Sequence, residues 1–229
     1  PPPRVVAALA LAAPAANAQS PDWTGSGSPP YSGFVNWFID SHWTAGVPDA
    51  GTDANINNGG TATIDANLGE ARDLRIGFGN IIVQDNGELS TQTGSIGNGT
   101  VFLDGSTWNT GRLDVGAAGT GAVIINLGGA LNSVETVIGL NAGDAGTVTV
   151  NGAGSAMHSN HITVGASGFG SLDVTNGASV DTGALELGVN AGGSGTVTVD
   201  GAGSTLNSDG AIVVGDHGEG RLTISGGAY

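Results

Sequence analysis

The sequence predicts an all-β fold: a single-stranded, right-handed parallel β-helix (solenoid) of about eight turns, each of 19–25 residues and carrying three short strands. Three observations lead there. First, GTVTVNGAGSAMHS at 146–159 returns as GTVTVDGAGSTLNS at 195–208, with ten of fourteen positions identical, and GSLDV at 170–174 halves the 49-residue interval. A unit of two dozen residues cannot bury an apolar face alone, so copies must stack and share a core. Second, apolar residues within each pentad sit two apart, as in Val148 and Val150 or Leu172 and Val174, the spacing of a strand with one buried side. Third, Asn86-Gly87, Asp104-Gly105, Asn151-Gly152, Asn176-Gly177 and Asp200-Gly201 follow the pentads, and such pairs accept the positive φ of a tight corner.

The elements follow in register. The pentad recurs as GTATI at 60, GNIIV at 79, GTVFL at 99, GAVII at 121, GTVTV at 146, GSLDV at 170, GTVTV at 195 and GRLTI at 220. A second column pairs an apolar residue with Gly: Ile76-Gly77, Ile96-Gly97, Val115-Gly116, Ile138-Gly139, Val164-Gly165, Leu187-Gly188 and Val214-Gly215. Between them a third column reads apolar, then usually Asn, His or Asp, then Ser or Thr, from Trp108-Asn109-Thr110 through Leu131, Met157 and Val180 to Leu206-Asn207-Ser208. Leu89-Ser90-Thr91 fits it loosely. Right-handed winding is expected from the crossover rule, and eight turns at about 4.8 Å each would make a rod roughly 40 Å long.

Composition agrees with a turn-rich solenoid. The 229 residues include 43 Gly, no Cys, five Arg as the whole basic complement, and 20 Asp plus Glu, for a formal charge of −15. Such a charge repels nucleic-acid phosphate and anionic lipid and leaves cations and basic surfaces as partners. Without Cys there is no disulfide framework and no thiol catalysis, and metal ligation falls to His and carboxylates.

Three segments are expected. Residues 1–18 combine Arg4, an apolar run from Val5 to Ala16 and Ala16-Asn17-Ala18, which reads as a secretory signal peptide lacking its start. Residues 19–58 interrupt the repeat and hold three of the four Trp, read as an aromatic cap on the first turn. The other reading of Trp23, Tyr31, Trp37 and Trp43 is a platform for sugar rings. Residues 59–229 form the coil, which ends one strand into a turn at GRLTISGGAY. That end is an exposed sheet edge prone to association, and the natural chain is expected to run past Tyr229.

The order Asn36-Trp37-Phe38-Ile39-Asp40, His42-Trp43-Thr44-Ala45-Gly46-Val47-Pro48 and Asp53-Ala54-Asn55-Ile56, followed by the GTVTV-x-GAGS repeats, resembles the passenger region of Gram-negative autotransporters, the type V secretion adhesins. His42 stands where Asn is commoner in that pattern. The resemblance covers Asp22 to Tyr229. It implies a stiff stalk, exported through the outer membrane by a C-terminal β-barrel, displayed at the cell surface or released, and serving adhesion to a receptor, glycan or matrix. The barrel's series of about ten-residue alternating strands is not visible in this stretch. The expected state is a monomeric rod without catalytic activity or cofactor.

The competing chemistry is a polysaccharide lyase or hydrolase on the same scaffold, or a matrix protein with no receptor. An enzyme needs Arg beside carboxylates, or paired carboxylates, on one face. Arg72, Arg75 and Arg112 fall near the third strand of early turns, with no acidic trio evident at matched positions. The column Asn109, Asn132, His158, Asp181 and Asn207 reads as a structural ladder on the outer face, a binding stripe being the other reading. His161, three residues after His158, would face the other way along a straight strand. Asp144, Asp216 and Glu219 are the calcium candidates, although NAGDAG at 141 and GDHGEG at 215 do not make the tandem nonapeptides of a calcium β-roll. Runs such as Gly165-Ala166-Ser167-Gly168-Phe169-Gly170 lack the following helix a phosphate loop needs.

Overall fold

The structure is a computed structural model that describes residues 21–24 and 35–229. The proposed signal segment 1–18 and Tyr31 lie outside the described residues. Its strands, in chain order, are β1 (Val35–Asn36), β2 (Ala54–Asp65), β3 (Leu68–Gln84), β4 (Glu88–Asp104), β5 (Thr107–Val115), β6 (Thr120–Asn126), β7 (Ala130–Ile138), β8 (Ala145–Asn151), β9 (Ala156–Val164), β10 (Phe169–Thr175), β11 (Ser179–Leu187), β12 (Ser194–Asp200), β13 (Thr205–Ser208), β14 (Ile212–Val214) and β15 (Glu219–Ser225). All pairings between these strands are parallel and join each strand to the one a coil away, so the chain is a right-handed parallel β-solenoid. No helix among the described residues is long and apolar enough to cross a membrane.

The repeat read from the sequence is the register observed. Gly99, Gly121, Gly146, Gly170, Gly195 and Gly220 stand in one line, and Val101, Val123, Val148, Leu172, Val197 and Leu222 in the next inward line. These pentads form face A. The two other columns align equally: Leu89, Trp108, Leu131, Met157, Val180 and Leu206 on face B, and Ile76, Ile96, Val115, Ile138, Val164, Leu187 and Val214 on face C. Face A carries eight rungs, which enclose about seven full turns rather than eight, and seven rung spacings of about 4.8 Å give roughly 34 Å of rod. The coil starts at Ala54, paired with Leu74, within the segment the sequence assigns to the cap.

Faces B and C differ from three separate strands. In β5, β7, β9 and β11 they form one continuous nine-residue strand, bent where the pairing skips Gly111, Val134, Asn160 and Gly183. The Ser or Thr of the third column makes the bend: the hydroxyls of Thr110, Ser159 and Thr182 donate to the carbonyls of Arg112, His161 and Ala184, two residues on. The side chain thus takes up a carbonyl turned out of the ladder.

The core fills by exchange of volume between faces. Trp108 is fully buried, and a Cβ on Gly94 would lie 2.6 Å from its ring, so Gly94 leaves room for the indole. Its Nε1 donates to the Thr91 hydroxyl at 3.1 Å. Ser155 and Ser204, in the shared GAGS, are buried and accept the N–H of Gly128 and Gly177, one coil back, at 3.1 and 3.0 Å. Gly165 turns from face C toward face A at φ +72°, and a Cβ there would come within 2.2 Å of the Ser194 backbone.

Two substitutions test this packing by urea unfolding. Trp108→Ala empties the largest side chain of the middle coils and is expected to cost about 3–5 kcal/mol. Gly165→Ala combines left-handed strain of about 1–2 kcal/mol with a backbone clash, and is expected to cost more than the strain alone.

Candidate functional site

With the inward positions committed to the core, chemistry can only be carried by the outward side chains and the two ends. Trp23, Trp37 and Trp43 are at most 4% exposed. Trp43 packs edge-on against both others at ring distances of 4.9 and 4.7 Å and donates Nε1 to the Trp37 carbonyl at 2.8 Å. Ile64 fills the space over Gly69, which stands at the apolar position of face B, and the Trp37 ring makes ordinary contact beside it. Indoles covered in this way present no face to a sugar ring, so these three Trp do not form a glycan platform.

On face B, the amide of Asn109 donates to the Glu88 carboxylate at 2.6 Å, Asn132 donates to Asn109 at 2.8 Å, and Asn207 donates to Asp181 at 2.8 Å. His158 Nδ1 lies 3.1 Å from the Asp181 carboxylate. The column is a hydrogen-bonded ladder whose members bind one another across rungs. Beside it Asn132, His158, Asn160, Asp181 and Asp209 line a shallow groove of about 260 Å³. His161 does not face inward as a straight strand would require. The bend at Asn160 resets the alternation, so His161 is half-exposed on face C, 3.5 Å from the Glu186 carboxylate.

Face C corrects the reading of the arginines. Asp53, one residue before the first rung, falls in line with Asp73, Thr93, Arg112 and Glu135. Arg72 and Arg75 both engage Asp53, at 2.5 and 2.8 Å, and Arg75 also engages Asp73 at 3.1 Å. Arg112 pairs with Asp114 at 2.8 Å and with Glu135 on the following coil. Asp53 and Glu135 lie a full coil away from Arg75 and Arg112 in sequence, and only the coil period brings them together, whereas Asp73 and Asp114 are two residues from their arginines on the same strand.

Burial raises the proton affinity of Asp53, but hydrogen bonds and charge from Arg75 and Arg72 outweigh it and hold its carboxyl below the ordinary value. The same bonds, with Asp53 first, raise Arg75, and Asp114 foremost raises Arg112. A carboxylate held ionised between guanidiniums is a poor proton donor. The arrangement ties the first coils together and offers little to acid catalysis.

The calcium candidates separate. Asp144 accepts the Gly119 N–H at 2.9 Å and the Asn141 amide at 2.8 Å, holding a corner. Asp216 sits against His217 at 2.9 Å. Ala145, next to Asp144, is three rungs from Glu219, or about 14 Å, so Asp144 and Glu219 do not share one ion. Among the described residues no three His or carboxylate side chains converge as a metal group.

One outward feature escapes the sequence reading. Ile82, Phe102 and Ile124 occupy the same outward position on successive rungs of face A, half-buried by their neighbours, and give way to Thr149, Asp173, Thr198 and Thr223 further along. The signal was present in GNIIV, GTVFL and GAVII, whose fourth residue is apolar where GTVTV has Thr.

Fold and exterior define the class as a parallel β-solenoid. The chain matches no family model, no curated protein and no solved structure, so the likeness to autotransporter passengers rests on the sequence motifs alone.

The Asp53 pairing has a signed pH dependence. A folded carboxyl below its unfolded value stabilises the fold above the ordinary pKa of about 3.9, and that stabilisation disappears as pH falls through the lower folded value. Wild type is expected to melt higher than Asp53→Asn at pH 7, with the gap closing below about pH 4. A gap that stays constant from neutral to acid pH, followed by tryptophan fluorescence, would show that the pairing does not stabilise the cap.

Proposed function

We propose that the chain is the exported, non-catalytic passenger stalk of an autotransporter-like surface protein. It displays its long faces for adhesive contact with a receptor, glycan or matrix, and the full protein carries a C-terminal β-barrel translocator. The observation that supports contact along the faces is the repetition of outward columns at one residue per rung. The Ile82, Phe102 and Ile124 stripe and the Asn109 to Asn207 ladder are both of this kind. Weak contacts repeated along one stiff rod add through multivalency, and contiguous apolar patches rimmed by polar residues mark contact surfaces.

Beads coated with the protein, applied to glycan-coated and matrix-coated surfaces, test this reading. Attachment is expected to fall in steps as Phe102→Thr, then Ile124→Thr, then Asn132→Thr are combined, with circular dichroism unchanged. No attachment by wild type, or complete loss from one substitution, would replace a distributed surface with no surface or a single pocket.

The Arg72, Arg75, Asp53 and Asp73 cluster on one face favours, as a second reading, a polysaccharide lyase or hydrolase. Incubation with polygalacturonate and alginate is expected to release no unsaturated or reducing ends. Turnover abolished by Arg75→Ala would establish the enzyme instead.

A further inference from the structure

The corner between faces A and B holds one residue that its position does not explain. The first residue after each face-A strand turns the chain at positive φ, and Ala66, Asp85, Gly105, Gly152, Asn176 and Gly201 occupy that position in other coils. Leu127 is the one large apolar side chain in this column, at φ +55° and 80% exposed. A left-handed backbone is disfavoured for a residue with a Cβ, and at this exposure the side chain packs on little of its own chain.

Leu127 borders the apolar stripe of face A. It follows Ile124 by three residues, and its corner stacks on that of Gly105, where a Cβ would meet the Leu127 carbonyl at 3.3 Å. The same corner is acidic in the earlier coils. Asp65 and Asp104 stand in line with Gln84 and Asn126, and Asp85 follows Gln84. None of these three carboxylates has an ion pair among the described residues, because Arg72, Arg75 and Arg112 are bound to acids on face C. Arg221 lies four rungs past Ile124, or about 19 Å.

We propose that Ile82, Phe102, Ile124 and Leu127, with Asp65, Asp85 and Asp104 along one side, form a docking surface for a basic amphipathic α-helix of a partner protein. This rests on the adhesive reading above and names the chemistry of the partner for the same face. The partner's charge follows from the acidic rim, since opposite potentials steer and orient an encounter. Its secondary structure follows from spacing. From Ile82 to Ile124 the stripe covers two rung intervals, about 10 Å, and a helix sets apolar anchors at i, i+3 or i+4, and i+7 over about 10.5 Å. An extended chain repeats the side chains of one side about every 6.7 Å, out of step with rungs of about 4.8 Å. A second copy of this chain would bring a like-charged rim to the same place.

Fluorescence anisotropy of a labelled synthetic helix, with leucine along one face and lysine on its flanks, titrated with the 229-residue chain, tests the proposal. Binding is expected, about tenfold weaker or more at 1 M than at 0.1 M salt, as the Debye length falls from about 10 to about 3 Å. Phe102→Thr and Leu127→Asn are each expected to weaken it about tenfold with an unchanged β-rich spectrum, because Thr149 and Asn176 already occupy these positions in other coils. Leu127→Asn is expected not to lower the urea midpoint, a result that a structural role for the leucine would not give. No binding at low salt, equal binding of the counterpart peptide with glutamate for lysine, or an affinity unchanged in both variants would overturn the proposal. So would wild-type dimers in sedimentation equilibrium that are lost in Phe102→Thr, which would give the face to a second copy. The bead assay separates this from the adhesive reading. Beads that attach while the peptide does not bind overturn the helical partner alone, whereas a peptide that binds while beads attach to neither surface supports the docking surface and overturns attachment to glycan or matrix.

Discussion

The structure depends on one constraint: a coil of about two dozen residues cannot enclose its own apolar side chains, so each coil is stable only against its neighbours. Parallel hydrogen bonding between rungs and the stacked inward lines on the three faces meet this constraint together, because both require the same register. A shift of one residue would break the ladder and turn every inward side chain outward. This is why the register found from GTVTV and GSLDV holds from Gly79 to Gly220.

Stability in such a molecule is close to one-dimensional, so the first coil needs a cover from outside the repeat. The aromatic group covers the first coil, and Gly69 lacks a side chain where the next coils have Leu89 and Trp108 because Ile64 of face A fills that space, with Trp37 of the cap in contact beside it. The interior coils solve smaller versions of the same problem. Gly94 yields volume to Trp108, and buried Ser155 and Ser204 satisfy N–H groups of the coil before them. A buried donor left without an acceptor costs about 1–3 kcal/mol, which explains a polar residue at a fully enclosed position.

Commitment of the inward positions leaves the exterior free to vary, and the three faces differ there. Face A carries an apolar stripe that changes to Thr and Asp along the rod, face B a ladder of Asn, His and Asp, and face C alternating ion pairs. The ladders and pairs also hold rungs together, though exposed pairs of this kind contribute only about 0–1 kcal/mol each. The adhesive role proposed above would draw on this division between a stiff interior and an exterior that varies from rung to rung.

The sequence by itself determined the repeat, the three columns, the Asn-Gly and Asp-Gly corners and hence the solenoid, because period-two alternation and a fixed repeat length are local properties that survive in one dimension. Only the tertiary structure decided what lies beside what across the coils. Asp53 meets Arg75, and Arg112 meets Glu135, through a coil period that varies from turn to turn. His161 turned outward because the hydroxyl of Ser159 binds its carbonyl and bends the strand at Asn160, which simple alternation does not foresee. The indoles went into the interior because covering the first coil removes their own apolar surface and that of the coil from water together, which the tryptophans' spacing in the sequence does not show.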